Sequence, residues 1–305
     1  MKTTTRIAYA PVSAILHLLA LLPFRVLYVI SDVLFFFTFH IVRYRRKVVQ
    51  QNLRESFPEK SPAELRDIER RFFHFLCDYF VETIKLLHIS DDEMRRRLVF
   101  HDVETIDRCF DCGRSIVIYA AHYANWEWLP SVTLWSRHDC TEKVFAQVYR
   151  PLKNEWFNHF FLGIRHRFHS ESFTKKSVLR DLLRLRRDGR VSITGFMSDQ
   201  HPSLNDDGYI TTFLNHPTAM ISGTETLARK LDFAVLYFQI SRRKRGYYEC
   251  TIRTIALNPR LEPENAITQC YTSLLEQQIR TQPELWLWTH KRWKHKVNNP
   301  VPNPQ

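Results

Sequence analysis

The hydrophobic pattern changes character three times along the chain. Ile7 to Phe24 carries no formal charge, and Val26–Val42 is broken only by Asp32. Pro11 and Pro23 divide this stretch into two helical pieces, because proline removes a helix donor and crowds the preceding turn. A full bilayer crossing takes roughly 20 apolar residues, so each piece is borderline as a span. Arg43, Tyr44, Arg45, Arg46 and Lys47 follow at once, a cluster that would stay on the cytoplasmic side and grip anionic head groups. The expectation is a membrane-attached helical segment over 1–47; the alternative is a buried two-helix core element.

A second pattern begins at Ser61-Pro62-Ala63-Glu64, a capping box with proline at the first helical position. Leu65, Ile68, Phe72, Phe75, Leu76, Tyr79, Phe80, Ile84 and Leu87 recur at helical spacing and predict one long amphipathic helix. Beyond Gly113 short apolar runs and helical patterns alternate. Ser115–Ala121, Lys143–Tyr149, Val191–Phe196, Phe233–Ile240 and Tyr247–Ile255 read as strands; Trp126–Trp135, Leu152–Leu162, Val178–Arg187, Ala219–Lys230 and Glu264–Arg280 read as helices. Such alternation implies an α/β sheet with packed helices over 48–296. The Pro/Asn-rich segment 297–305 reads as a flexible tail.

Composition narrows the classes. The 305 residues carry 44 Lys+Arg against 32 Asp+Glu, a formal charge of +12, with 44% hydrophobic residues, which excludes a disordered chain. Only 7 glycines argue against Gly-rich nucleotide loops and turn-dense all-β folds. The 7 Trp, 12 Tyr and 22 Phe favour membrane interfaces and lipid-facing grooves. Arg95-Arg96-Arg97, Arg180–Arg190, Arg242-Arg243-Lys244-Arg245 and Lys291–Lys296 are either solvated faces or docking sites for an acidic protein or anionic lipid. No nucleic-acid-binding motif accompanies them. The six cysteines include one CxxC, Cys109 and Cys112, and read as thiols in a reducing compartment. His290 and His295 lack a matching ligand cluster, so no metal is expected. Trp286, Trp288 and Trp293 fit either a bilayer interface or the core.

The candidate chemistry sits in Ala121-His122-Tyr123-Ala124-Asn125-Trp126-Glu127, after an apolar strand and at the start of a helix. With Asn125 as N-cap, Glu127 in the first turn would reach back to the His122 imidazole. A carboxylate on one ring nitrogen fixes the tautomer and strengthens the other as a base. This HX4E pair is the base-and-orienter half of a triad without a neighbouring protein nucleophile, suited to deprotonating a hydroxyl or amine of a substrate. A structural histidine beside a helix cap would give the same spacing.

HYANWEW resembles the HX4(D/E) motif of glycerolipid and lipid A acyltransferases. Tyr149-Arg150-Pro151-Leu152-Lys153-Asn154 is similar to the YRPxxN block of the lipid A branch, and Arg165 falls where that branch keeps an arginine. Asp199-Gln200 resembles its Asp-Gln/His pair, and Phe213–Gly223 its FFGxPxxxxxG stretch. Pro283-Glu284-Leu285-Trp286-Leu287-Trp288 with His290, Arg292, Trp293 and Lys294 resembles its ending, and Asn52-Leu53 with Phe57-Pro58 also fits. One departure is Phe213-Leu214-Asn215-His216-Pro217 in place of the glycine segment.

The resemblance to the late lipid A acyltransferases, within the lysophospholipid acyltransferase superfamily, spans nearly the whole chain. It implies a mixed central sheet flanked by helices. It also implies transfer of a fatty acyl chain from acyl carrier protein, or acyl-CoA, to a lipid hydroxyl, with the thioester as co-substrate and no cofactor. His122 and Glu127 would be catalytic, with Arg150, Asn154, Arg165 and Asp199 binding substrate; Asp199 could alternatively orient an arginine or cap its turn. The partners implied are acyl carrier protein, an anionic lipid and the membrane, with no nucleic acid. The place implied is the bacterial inner membrane, with the catalytic domain facing the cytoplasm.

Overall fold

A computed structural model describes residues 9–202 and 208–294; the expected tail 297–305 and His295 lie outside them. The apolar N-terminal stretch divides at Pro23 as expected. Helix α1 (Ala10–Leu21) ends just before it, and α2 (Phe24–Phe36) begins just after it and continues as a π-helix, Phe37–Val42. After α3 (Arg46–Ser56), the capping box opens α4 (Pro62–Lys85), with both reciprocal Ser61–Glu64 hydrogen bonds made. The short α5 (Asp91–Arg97) leads into strand β1 (Leu98–His101) and α6 (Glu104–Asp111).

The alternating region supplies β2 (Ile116–Ala120), β3 (Val144–Tyr149), α7 (Glu155–Arg165), β4 (Glu171–Thr174), α8 (Val178–Arg187) and β5 (Ser192–Met197). It continues with β6 (Gly208–Phe213), β7 (His216–Ile221), α9 (Gly223–Leu231), β8 (Ala234–Lys244), β9 (Tyr247–Ala256) and α10 (Ala266–Thr281). Seven strands form one sheet in the order β1-β9-β8-β2-β5-β3-β4, parallel except for the β8–β9 pair. All five residues of β2 are buried, as a central strand covered on both faces requires. The fold is therefore α/β with a mixed, mostly parallel sheet flanked by helices.

Two local expectations are corrected and one open alternative is decided. Ala219–Ile221 is not helical: it ends β7, which pairs antiparallel with β6, and α9 starts only at Gly223. The Phe213–Pro217 departure lies at the turn of this hairpin. Trp126–Leu134 is a 3₁₀ helix with Pro130 inside; proline withholds a donor that a continuous α-helix would use. Trp286 and Trp288 are buried, at 3% and 0% exposure, so they belong to the core rather than a bilayer interface. Trp293 is half-buried and stacks on His216.

Candidate active site

Strand register brings the central pair together. β2 and β5 are parallel neighbours with Ala120 opposite Met197, and His122 and Asp199 each lie two residues past those positions. Ser198 N donates to Ala120 O at 3.2 Å, carrying the alignment beyond the strand ends. Both residues therefore emerge at the carboxyl edge of the sheet, where open α/β folds place their binding crevices. His122 Nδ1 lies 2.8 Å from Asp199 Oδ1, and Trp286 Nε1 donates to Asp199 Oδ2 at 3.0 Å. An ionised carboxylate only accepts, so Nδ1 carries the proton and Nε2 keeps its lone pair.

About a fifth of the His122 side chain is exposed, whereas Asp199 is at 2%. Burial alone would lower the His122 pKa, but the Asp199 charge and hydrogen bond, with the Glu127 charge, raise it above the ordinary value. Burial pushes Asp199 the other way, and the His122 charge and hydrogen bond hold it below the usual carboxylate range. The pair is poised as a base with a defined tautomer.

The loop carrying His122 is fixed by its backbone. Leu287 N donates to His122 O at 3.1 Å and Ala124 N to Leu285 O at 2.9 Å, while Tyr123 bridges Trp286 antiparallel. Ala124 sits at φ 51°, a left-handed position costing a Cβ-bearing residue about 1–2 kcal/mol; these bonds hold it there. Asn125 does not cap the helix. Fully buried, it donates Nδ2 to Glu82 Oε2 at 2.7 Å. Glu82, on α4, also accepts from Tyr28 of α2 at 3.0 Å and Tyr248 of β9 at 2.9 Å. Its burial and the nearby Asp78 charge raise its pKa to about 7 against the pull of those donors.

Glu127 lies beside this pair with a different partner from the one expected. Both its oxygens are taken by Arg165, from Nε at 3.0 Å and Nη2 at 2.7 Å, so Asp199 rather than Glu127 holds the imidazole. The bidentate fork matches a carboxylate plane, and the pair is largely buried, at 22% and 5% side-chain exposure. Glu127 still acts on His122 through its charge. Asp199, expected to bind substrate or else to orient an arginine or cap its turn, makes its hydrogen bonds to His122 and Trp286.

The other expected residues lie further out. Asn154 is the N-cap of α7, accepting from Trp156 N at 3.0 Å and Phe157 N at 3.2 Å while donating to Tyr9 Oη. Its side chain is occupied in structure. Arg150 is exposed and makes no ion pair among the described residues. A cavity of about 680 Å³ lies elsewhere, against Tyr209, Glu225 and Arg229, and the His122 cluster does not line it.

Sequence reasoning missed Trp286 as a partner of Asp199, and Glu82 altogether. For Glu82 a signal existed: with Phe75, Tyr79 and Leu86 it falls on the buried stripe of a long amphipathic helix, where a carboxylate needs donors. Among the described residues the His122 ring bonds only to Asp199 and, loosely, to the Gln200 amide at 3.4 and 3.5 Å. No hydroxyl or thiol bonds to this ring among the described residues.

The comparisons agree with a transfer enzyme of this kind. Residues 2–295 match the family described as bacterial lipid A biosynthesis acyltransferase. The chain is 23% identical over 281 residues to the lipid A biosynthesis lauroyltransferase of Escherichia coli (strain K12), covering 92% of this chain and 89% of that protein. It is 22% identical over 257 residues to the palmitoleoyltransferase of the same organism and to a lipid A biosynthesis acyltransferase of Shigella flexneri, each over 82% of this chain and 79% of the relative. Matching that family over residues 2–295, the chain belongs to the bacterial lipid A biosynthesis acyltransferases and is a lipid acyltransferase.

Proposed function

We propose that this enzyme moves a fatty acyl chain from an acyl thioester, held on acyl carrier protein, to a hydroxyl of a lipid A precursor, directly and without an acyl-enzyme. One observation carries the reading: His122 is held by Asp199 in the tautomer of a base, with no protein nucleophile bonded to its ring among the described residues. The acceptor hydroxyl gives its proton to Nε2 as its oxygen bonds to the thioester carbonyl carbon. The tetrahedral intermediate then expels the thiolate, which takes the proton back from the imidazolium. Asp199 stabilises the imidazolium by contact and Glu127 by charge. General-base help of this kind is worth about 10²–10⁴-fold in rate.

Arg165 spends Nε and Nη2 on Glu127, and Nη1 remains to face an oxyanion or a phosphate. Exposed Arg150 and Lys153 suit an anionic head group, and the basic clusters suit an acidic carrier protein arriving by electrostatic steering. The catalytic domain works at the cytoplasmic face of the inner membrane. The test is lipid mass spectrometry of cells lacking the gene, complemented by wild type or by His122→Ala. Loss of one acyl chain from lipid A, restored only by wild type, is expected. A change confined to aminoacyl lipids or lysophospholipids would overturn the acceptor; full restoration by His122→Ala would overturn the chemistry.

A further inference from the structure

Helix α4 ends beside the loop that carries His122, and its last two turns hold that loop at three places. Asn125 Nδ2 donates to Glu82 Oε2 at 2.7 Å, and Trp128 Nε1 donates to Glu82 O at 3.3 Å. Trp126 stacks on Tyr79 with ring centroids 4.2 Å apart and meets the His122 ring edge-on at 5.2 Å. The chain turns sharply between the base and the 3₁₀ helix, through Ala124 at φ 51° and Asn125 at φ −92° and ψ 77°. Backbone bonds with Leu285 and Leu287 fix this turn on the His122 side. On the exit side the anchor is the Asn125 amide. Its Oδ1 is buried without a hydrogen bond among the described residues, so the bond to Glu82 sets its orientation.

Glu82 is an unusual choice for this position. It is fully buried, and a leucine on the same apolar stripe would avoid the desolvation of a carboxylate. Asp78, one turn earlier, is paired with Arg245 at 2.6 Å, whereas Glu82 makes no ion pair among the described residues. Its oxygens are matched by donors from three separate elements: Tyr28 of α2, Tyr248 of β9 and Asn125 of the His122 loop. The two tyrosines steady the carboxylate without touching the base. Asn125 alone links it to the loop. A carboxylate acceptor makes shorter and stronger hydrogen bonds than a neutral one, which suits a joint that must hold one geometry.

We infer that Glu82 is a positioning residue for acyl transfer: through Asn125 it sets the loop so that His122 Nε2 faces the substrate hydroxyl, while Asp199 sets which ring nitrogen carries the proton. The inference rests on the reading of His122 as the base. The experiment measures kcat and KM of the full-length enzyme with a thioester donor and lipid acceptor, and thermal melting alongside. Glu82→Leu is expected to lower kcat about 100-fold, the cost of misplacing a catalytic group by about 1 Å, with KM held within about threefold. Glu82→Gln keeps an acceptor for Asn125 and restores most of kcat. Asn125→Ala matches Glu82→Leu, and serves in its place if that variant does not fold. The double variant falls no further than either single one, because both break the same link. Tyr28→Phe and Tyr248→Phe each remove a donor from the same carboxylate and lower Tm, but leave kcat standing. Glu82→Leu with near-wild-type kcat, while His122→Ala is inactive, would overturn this inference and leave the base in place; activity in His122→Ala would remove both. Losses of kcat that track Tm across all these variants, the tyrosines included, would equally overturn it.

Discussion

Replacing Asp199 with asparagine tests the central arrangement, because it preserves shape and changes hydrogen-bond polarity. Asp199 offers acceptors to two donors, His122 Nδ1–H and Trp286 Nε1–H. Asparagine has one acceptor oxygen and a donating amide. If that oxygen turns to Trp286, the amide faces Nδ1, which must then accept, and the ring proton moves to Nε2, the nitrogen needed as base. The opposite flip leaves the buried Trp286 donor unpaired at a cost of about 1–3 kcal/mol, so the first arrangement prevails.

Asp199→Asn is therefore expected to lower kcat by about 10²–10⁴-fold, the full worth of the base, or roughly 3–5 kcal/mol of barrier. KM should change little. The assay is initial-rate acyl transfer from a thioester donor to lipid acceptor in detergent micelles, with the fold checked by thermal melting. Stability carries a matching signature. The raised His122 pKa contributes stability below its unfolded value and loses it as pH rises through the folded value. The depressed Asp199 pKa contributes above its unfolded value and loses it as pH falls. The stability difference between wild type and variant is thus largest between about pH 4 and 6.5, where both groups are charged. Retention of kcat within fivefold, with His122→Ala inactive, would refute the role of Asp199 as orienter.

The remaining predictions concern the groups around this pair. Glu127→Gln and Arg165→Met each leave a largely buried charge without its partner, costing roughly 3–5 kcal/mol of stability by chemical denaturation; the double variant should lose less than the sum, and strict additivity would refute their coupling. Glu82→Gln keeps all three bonds, its oxygen accepting from Asn125 and Tyr248 and its amide donating to Tyr28. Since the raised Glu82 pKa of about 7 means that wild type loses stability as pH rises through that value, Glu82→Gln should melt above wild type at pH 8.5 and near it at pH 5. Glu82→Leu orphans those donors and lowers Tm by about 6 °C or more. Trp286→Phe retains the ring packing but removes the donor to Asp199; kcat should fall about 5–30-fold, as loss of one charged hydrogen bond of about 1–2 kcal/mol requires, and an unchanged kcat would refute the contact.

Much of this architecture was legible in the chain. Periodicity placed β2, β3, β5, β8 and β9 within a few residues, because buried strands are short apolar runs and α8 and α10 are strongly amphipathic. The short edge strands β1 and β4 and the β6–β7 hairpin were not legible: four residues make no period, and Ala219–Ile221 is apolar enough to join the helix that follows. His122, Glu127, Arg165 and Asp199 were all visible as candidates, but their pairing was not. HX4E spacing invites a His122–Glu127 bond, yet the partner is decided by strand order. β5 inserts between β2 and β3, and no local pattern records that two strands separated by about 75 residues become neighbours.

The same reasoning explains why the C-terminal motif matters despite lying far along the chain from the base. Leu285 and Leu287 hold the backbone on either side of Tyr123, and Trp286 between them holds Asp199. One extended strap thus fixes both the loop that carries His122 and the Asp199 carboxylate bonded to its ring. It is itself tied to the N-terminal region, since Asn52 donates to Trp288 O at 2.9 Å and His290 O at 3.0 Å. The site is therefore closed by contacts between segments far apart in sequence, which are entropically costly to form. Base, orienter and Glu127–Arg165 pair come from segments around residues 122, 199, 127 and 165, and none reaches its working geometry until strand order and strap are both in place. A variant that loosens the strap should thus lose catalysis before it loses global fold.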